Sequence, residues 1–260
     1  MNTLFDLPTP NPKHPAKYTD ALLSAFVKMT YGKNKILDPF GGTGKVFLLN
    51  RWYPNAEIQA VEIEPEWAKI NPRTTLGNAL HLPWQNDYFD CICTSPTYGN
   101  SMAIEGNKEN WRNPEWKLFT YSSLLGRSLS SDNSGKLRGE KYIEFHKKAW
   151  IESTRVLCEG GYFILNIKDH IKRGSVIPVT NWHIEILENL GYEILERIDI
   201  ECPGYGYRNK KAMETYIKHE SVIKFVLKSK TPANKAWSGL VESGGELPAE
   251  KSYSKGSAPA

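Results

Sequence analysis

The sequence has 260 residues, of which 40% are hydrophobic and 24% are charged, a balance typical of one folded domain and not of a disordered polymer. Its 33 Lys and Arg exceed its 29 Asp and Glu, so the net charge of +4 permits a nucleic-acid partner without requiring one. No apolar run is long enough to cross a membrane and the N-terminus shows no secretory signal, which predicts a cytoplasmic protein without membrane contacts.

Cysteine and histidine usage argues against a disulfide framework and against a metal site. The four cysteines are irregularly spaced, and Cys91 and Cys93 lack a second pair at zinc-finger spacing. We therefore expect all four thiols to be reduced and buried. The six histidines show no metal-ligand spacing, so no metal is expected.

A proline-rich arm precedes the first predicted helix. Residues 1–17 contain four prolines, which favour an extended surface segment. Apolar residues then recur at helical spacing and predict a helix over Thr19–Met29. Short apolar runs alternate with helical patterns beyond it, and the predicted strands are Lys35–Asp38, Glu57–Glu62, Thr74–Leu76, Asp90–Thr94 and Tyr162–Ile167.

The alternation of strands with helices predicts an α/β fold with a mostly parallel sheet and right-handed crossovers. A helical stretch at Trp182–Leu190 is followed by two apolar runs, one starting at Tyr192 and the other at Ser221–Leu227, with no helical pattern between them. These two runs predict an antiparallel pair at one edge of the sheet.

Two segments do not follow this alternation. Residues 99–141 are polar, with scattered aromatic and basic side chains, and a loop of this length is usually functional, which predicts an insertion. The alternative is that its aromatic side chains form a small satellite core while its charges form a solvated face. Residues 231–260 are poor in large apolar groups and predict a flexible tail, which leaves residues 1–230 as one domain.

The first predicted strand runs into a glycine-rich turn, Asp38–Gly44, and then into a helix that begins near Lys45. Glycines let the backbone approach a ligand closely, and a helix N-terminus offers unpaired amides. The turn therefore predicts a site for a cofactor that contains adenosine. A Walker phosphate loop is excluded, because Pro39 stands where its first glycine would be and Val46 follows Lys45.

Polar side chains also follow the second and third predicted strands. Glu62 ends the second strand, at the position where doubly wound folds hold a ribose, and Glu64 is the reserve candidate. The alternative is that these acids cap the next helix. Asn78 follows the third strand and could hydrogen-bond an adenine edge.

The fourth predicted strand ends in Ser95–Tyr98. This segment combines a hydroxyl, a proline that leaves a rigid carbonyl, and an aromatic ring. It lies at the end of the strand where open α/β sheets bind ligands, so it is a candidate catalytic segment. A surface turn is the plainer alternative.

These motifs resemble those of the DNA amino-methyltransferases, which transfer a methyl group from S-adenosylmethionine to an exocyclic base nitrogen. Their cofactor motif is similar to Asp38–Gly44. Ser95–Tyr98 matches three of the four positions of their Asp/Asn/Ser-Pro-Pro-Tyr/Phe motif, with Thr97 in place of the second proline. Lys13–Ala16 resembles the segment that closes over the methionine end of the cofactor. The likeness extends over about residues 12–228.

The resemblance implies a seven-stranded, Rossmann-like methyltransferase sheet with an antiparallel edge strand, S-adenosylmethionine as cofactor and double-stranded DNA as substrate. The motif order is similar to that of the permuted class in which target recognition follows catalysis. The implied catalytic residues are Ser95, Pro96, Thr97 and Tyr98. The cofactor residues, from the motifs and their positions, are His14, Pro15, Asp38, Pro39, Phe40, Gly41, Gly42, Thr43, Gly44, Glu62, Ile63, Asn78 and Ala79.

An exocyclic amine is a weak nucleophile because its lone pair is delocalised into the ring. Ser95 Oγ and the Pro96 carbonyl are expected to accept its two N–H bonds, and Tyr98 to stack on a base flipped out of the duplex. Serine at the first position of the catalytic motif, Ser95 here, resembles the variant found mostly in cytosine-N4 enzymes, so cytosine N4 is favoured over adenine N6. Methylation of RNA or protein, and a binding module without turnover, are the alternatives.

Basic side chains of the predicted insertion are candidates for contacts to DNA phosphates. These candidates are Lys108, Arg112, Lys117, Arg127, Lys136 and Arg138. A second basic run occupies residues 208–211, before the last predicted strand. Whether a restriction endonuclease of the same system accompanies the protein, or whether it is a solitary modifier, stays open.

Overall fold

The structure, a computed structural model, describes residues 13–14, 18–99, 120–172, 175–202 and 217–231. The strands are β1 Lys35–Asp38, β2 Glu57–Glu62, β3 Thr74–Leu76, β4 Phe89–Thr94, β5 Leu157–Ile167, β6 His170–Lys172, β7 Ser175–Ile177, β8 Tyr192–Glu201 and β9 His219–Leu227. The α-helices are α1 Asp20–Thr30, α2 Pro65–Ala68, α3 Tyr121–Leu125, α4 Gly139–Val156 and α5 Val179–Asn189, and 3₁₀ helices cover Lys45–Arg51 and Ser134–Lys136.

Seven strands form one sheet in the order β3-β2-β1-β4-β5-β9-β8. The pairs β1–β2, β1–β4, β2–β3 and β4–β5 are parallel, whereas β9 is antiparallel to both β5 and β8. The predicted α/β sheet, with its antiparallel pair at one edge, is confirmed. Because β1 and β4 are central neighbours, the loops that follow them meet at the carboxyl edge of the sheet.

Consecutive residues of each central strand enter different hydrophobic clusters. Ile36 packs with Phe26 and Met29 of α1 on one face of the sheet, while Leu37 belongs to the cluster that contains Trp150 of α4 on the other. Side chains alternate between the faces of a strand, so a strand covered on both sides must be apolar throughout. This explains why the central strands read as short uninterrupted apolar runs.

The N-terminus of α1 is capped by the side chain of Thr19. Thr19 Oγ1 accepts a hydrogen bond from the Leu22 backbone N–H at 3.1 Å, and the helix ends one residue beyond the prediction, at Thr30. In the part of the chain that is described, no helix is long and apolar enough to cross a membrane.

Several features differ from the sequence predictions, among them the segment after Gly44, which is a 3₁₀ helix, and β5, which begins at Leu157 and not at Tyr162. The β6–β7 hairpin was not predicted, because its strands have only three residues each. Helix α4 begins at Gly139, so the end of the predicted insertion belongs to a helix of the core. All four cysteines are free thiols, but Cys158 and Cys202 are only half-buried, because Cys158 begins an exposed turn of β5 and Cys202 follows the end of the edge strand β8.

Candidate active site

Asp38 fixes the start of the glycine-rich turn. Its side chain is 2% exposed, and its Oδ1 accepts hydrogen bonds from the Phe40 backbone N–H at 3.0 Å and from Thr94 Oγ1 at 2.7 Å. Burial raises the pKa of this carboxyl from 3.8 to about 6, although both hydrogen bonds favour the ionised form. Asp38 thus ties the end of β1 to the end of β4.

The turn needs glycine for two physical reasons. A Cβ on Gly41 would lie 2.8 Å from Ala60 Cβ, because the Gly41 backbone N–H donates to the Val61 carbonyl at 2.8 Å. Gly44 has φ of +78°, a left-handed conformation that side chains disfavour, and it caps the 3₁₀ helix Lys45–Arg51. Phe40 packs against the core beside His146, with ring centroids 5.6 Å apart.

Glu62 closes the turn from β2. Its Oε2 accepts from the Gly42 backbone N–H and its Oε1 from the Glu64 backbone N–H, each at 2.8 Å. The residue is 8% exposed, and burial raises the pKa of its carboxyl from 4.5 to about 7. His14 lies over the same turn: a Cβ on Gly42 would be 3.4 Å from His14 Nε2. Its ring packs edge-on against Trp67, with centroids 4.4 Å apart.

A cavity of about 340 Å³ opens beside Glu62, at the carboxyl ends of β2 and β3. Its lining includes Ile63, Leu76, Gly77, Asn78, Ser130 and Asp132. Ile63 and Asn78 are therefore brought together as predicted cofactor residues, whereas the Ala79 side chain packs in the hydrophobic core. Apolar walls beside a half-buried amide suit a purine ring, and the carboxylate at the end of β2 suits a ribose diol. These residues fit an adenosine-containing cofactor.

Glu64 serves a different purpose from the one predicted for it. Its side chain is fully buried, and it accepts hydrogen bonds from Arg127 Nη2 at 2.8 Å, the Ser130 backbone N–H at 2.9 Å and Asn133 Nδ2 at 2.7 Å. Arg127 also pairs with Glu66, and these carboxylates raise the pKa of its guanidinium. The end of the predicted insertion is thereby fastened to the cofactor side of the sheet.

The candidate DNA contacts separate into three groups. Lys108, Arg112 and Lys117 lie outside the described residues, as do Pro15 and residues 208–211. Arg127 faces the carboxylates of the protein itself, so its charge is already paired. Lys136 is half-buried and donates to the Leu129 carbonyl at 3.4 Å, while Arg138 is exposed at the start of α4.

The Ser95–Tyr98 segment carries a network of side-chain hydrogen bonds. Ser95 Oγ and the Tyr98 hydroxyl lie 3.1 Å apart. Asn166 of β5 donates from Nδ2 to the Tyr98 hydroxyl at 2.8 Å and approaches Ser95 Oγ at 3.2 Å. Tyr98 in turn donates to Glu220 Oε2 of β9 at 3.4 Å. Burial raises the pKa of the Tyr98 hydroxyl, which therefore stays protonated.

Sequence reasoning missed Asn166 and Glu220 as members of this site. Asn166 is 1% exposed, and its Oδ1 has no hydrogen-bond partner among the described residues. An amide inside the apolar run Tyr162–Ile167 was the available signal, because a buried polar side chain is usually paired. Glu220 had no such signal, since it stands in a polar stretch at the start of β9.

The model of the N6/N4 DNA methylase family matches residues 89–255, which include the Ser95–Tyr98 segment. The chain belongs to this family. Its activity class is therefore DNA methylation, and its methyl donor is S-adenosylmethionine. The expected family and cofactor are confirmed. A search of curated protein sequences gave no match.

Solved structures with little sequence identity align with this methylase. A geranyl diphosphate methyltransferase in complex with geranyl diphosphate and sinefungin aligns with a TM-score of 0.52 at 8% identity, over 79% of this chain and 76% of that chain. The YcgJ protein from Bacillus subtilis gives 0.47 at 13% identity, over 80% and 98%, and TrmN from Thermus thermophilus gives 0.47 at 14%, over 81% and 49%. The first alignment shows the methyltransferase fold.

Proposed function

We propose that this DNA methylase transfers a methyl group from S-adenosylmethionine to the exocyclic amine of a base flipped out of double-stranded DNA, with cytosine N4 as the favoured target. The observation that carries the proposal is the hydrogen-bonded group Ser95, Tyr98, Asn166 and Glu220, which lies at the carboxyl edge of the sheet next to the glycine-rich turn. The base assignment rests on Ser95 at the first position of the catalytic motif. Adenine N6 is the alternative target.

The cofactor would be held by residues from three strand ends. Glu62 retains lone pairs that can accept from ribose hydroxyls, Ile63 and Asn78 line the cavity that suits adenine, and Asp38 presents a buried carboxyl toward the methionine end. His14 covers the turn at Gly42. When bound, S-adenosylmethionine supplies an electrophilic methyl group on a sulfonium.

The target amine would be held by oxygen acceptors of the catalytic segment. Ser95 Oγ and the Pro96 carbonyl accept its two N–H bonds, which leaves the lone pair free to attack. Asn166 Nδ2 lies 3.2 Å from Ser95 Oγ, so one of its two N–H groups would turn from Ser95 Oγ to the ring nitrogen beside the amine, while the other stays on the Tyr98 hydroxyl. That ring nitrogen is an acceptor in both cytosine and adenine, so Asn166 serves either base.

Tyr98 would stack on the flipped base, a contact worth roughly 1–3 kcal/mol. Its ring is already held through its hydroxyl by Asn166 and Glu220, so little ordering remains when the base arrives. The DNA backbone would run past the insertion, where exposed Arg138 is the described candidate for a phosphate contact together with Lys136 and the earlier basic residues. In this proposal residues 1–230 form the methyltransferase domain, 99–141 contain its target-recognition insertion, and 231–260 are a tail.

The test is to incubate the purified protein with unmethylated genomic DNA and isotope-labelled S-adenosylmethionine, and to identify labelled nucleosides by mass spectrometry. We expect labelled N4-methylcytosine, with turnover abolished in Ser95→Ala and Tyr98→Ala while binding of S-adenosylmethionine survives. Labelled N6-methyladenine would correct only the base. Label in RNA alone, or no transfer to any nucleic acid, would overturn the proposal.

A further inference from the structure

Thr97 stands where the resembling catalytic motif has a second proline, so this segment lacks the ring that would fix φ at that position. The structure provides two hydrogen bonds there instead. Thr97 Oγ1 lies 2.8 Å from Ser134 Oγ, and the Thr97 carbonyl accepts from the Tyr142 hydroxyl at 2.7 Å. The first bond reaches buried Ser134 in a short 3₁₀ helix, and the second reaches a buried side chain of α4.

The bond from Tyr142 is the end of a buried chain of hydrogen bonds. Trp150 Nε1 donates to His183 Nδ1 at 2.9 Å, and His183 Nε2 lies 2.9 Å from the Tyr142 hydroxyl. Indole N–H can only donate, so His183 Nδ1 accepts and Nε2 carries the proton. His183 therefore donates to the Tyr142 hydroxyl, whose own proton is left for the Thr97 carbonyl. Each group in the chain has one possible role.

The members of this chain are rigidly packed. Tyr142 is 2% exposed, and both Trp150 and His183 are fully buried between α4 and α5. The Tyr142 ring also supports the other end of the segment, because a Cβ on Gly99 would lie 3.2 Å from its Cδ2. The segment between these two contacts contains Tyr98, whose ring and hydroxyl form the proposed base site.

We infer that Tyr142, held by His183 and Trp150, is a positioning residue that fixes the backbone of the catalytic segment at Thr97 and so aligns the Pro96 carbonyl and the Tyr98 ring with the target base. This chain of hydrogen bonds from Trp150 through His183 and Tyr142 to the Thr97 carbonyl, here called the relay, replaces the constraint that a proline ring would impose. This inference rests on the proposed function, since the aligned groups are those that hold the base. Misalignment of such groups slows the methyl transfer and leaves the cofactor site, at the ends of β1 and β2, unaffected.

The test compares two buried tyrosine hydroxyls in the full-length protein. Tyr142→Phe removes the relay, whereas Tyr192→Phe removes a hydroxyl that lies 3.0 Å from Thr154 Oγ1 in the core. We expect Tyr142→Phe to lower kcat for DNA methylation by about 10- to 100-fold, with the Kd for S-adenosylmethionine unchanged. Tyr192→Phe should leave kcat unchanged. Equal kcat in both variants, or a parallel loss of cofactor binding in Tyr142→Phe, would overturn the inference.

A second arm asks whether a proline ring substitutes for the relay. The Tyr142→Phe change is repeated in a Thr97→Pro background, where φ is fixed covalently, and it should then cost much less in kcat than in the wild type. Equal losses in both backgrounds, or a Thr97→Pro protein without turnover, would contradict the replacement of proline by the relay. Wild-type methylation is measured in parallel: a wild type that labels no DNA overturns the proposed function, while labelled DNA with unaffected Tyr142→Phe overturns this inference alone.

Discussion

The proposed cofactor half and the proposed catalytic half of the candidate site are held by different kinds of hydrogen bond. In the cofactor half, the carboxylates of Asp38 and Glu62 accept from backbone N–H groups of the adjoining loops. In the catalytic half, Tyr98 is bound by side chains that lie 68 and 122 positions away, those of Asn166 and Glu220. Backbone N–H groups are present whatever the neighbouring side chains are, so most donors of the first half do not depend on residue type, and the Thr94 hydroxyl that donates to Asp38 is the side-chain donor named there. The second half depends on side chains that follow β4 or lie in β5 and β9. Substitutions in the first half should therefore weaken binding of the cofactor, and substitutions in the second half should lower the rate of methyl transfer.

Two asparagine substitutions should give the largest effect and separate the halves. Asn166→Ala removes the amide beside Ser95 and Tyr98, so we expect kcat to fall on the order of 100-fold, as for the loss of one preorganised donor in an active site. Asn78→Ala removes a polar group of the cofactor cavity and should raise the Kd for S-adenosylmethionine about tenfold. Steady-state kinetics and calorimetric titration of each variant measure the two quantities.

Circular dichroism of both asparagine variants provides the folding control. If Asn166→Ala weakened cofactor binding as much as Asn78→Ala did, the two halves would not be independent. Retention of full turnover in Asn166→Ala would remove Asn166 from the base site.

Glu64 connects the two halves, so its loss should have the next largest effect. Its carboxylate binds Asn133, and the adjacent Ser134 reaches Thr97 of the catalytic segment. In Glu64→Gln the amide NH₂ faces donors wherever it turns, which should lower the free energy of unfolding by about 2 kcal/mol. The matched control is Glu66→Gln, where the side chain is 36% exposed and the expected change is below about 1 kcal/mol. Urea denaturation distinguishes them, and equal changes would show that the buried network does not anchor residues 127–133.

Much of the geometry of the proposed cofactor half follows from the sequence, because its signals are local. The glycines, Asp38 and Glu62 stand at the ends of strands whose apolar runs are unmistakable, and the sheet order brings those ends together. Asn166 joins the site only through pairing of β4 with β5, a contact that no local pattern encodes. Arg127 was predicted to contact DNA phosphates. Its actual partner, buried Glu64, lies 63 positions away, so the sequence around Arg127 does not reveal the pairing. Long-range side-chain pairing is what single-sequence reasoning lacks.

The smallest expected effect is a change in how stability depends on pH. The backbone N–H groups of Gly42 and Glu64 donate to Glu62, and burial raises the pKa of its carboxyl from 4.5 to about 7. The folded protein therefore binds more protons than the unfolded chain between these values, so stability gained below pH 4.5 is lost as pH rises toward 7. Asp38, with a pKa raised to about 6, contributes in the same direction.

Glu62→Gln should flatten the dependence of the free energy of unfolding on pH by less than about 1.4 kcal/mol per pH unit, the limit for one proton. Urea unfolding of both proteins without S-adenosylmethionine measures the slopes, and parallel curves would mean that Glu62 ionises normally and that its two backbone donors offset its burial.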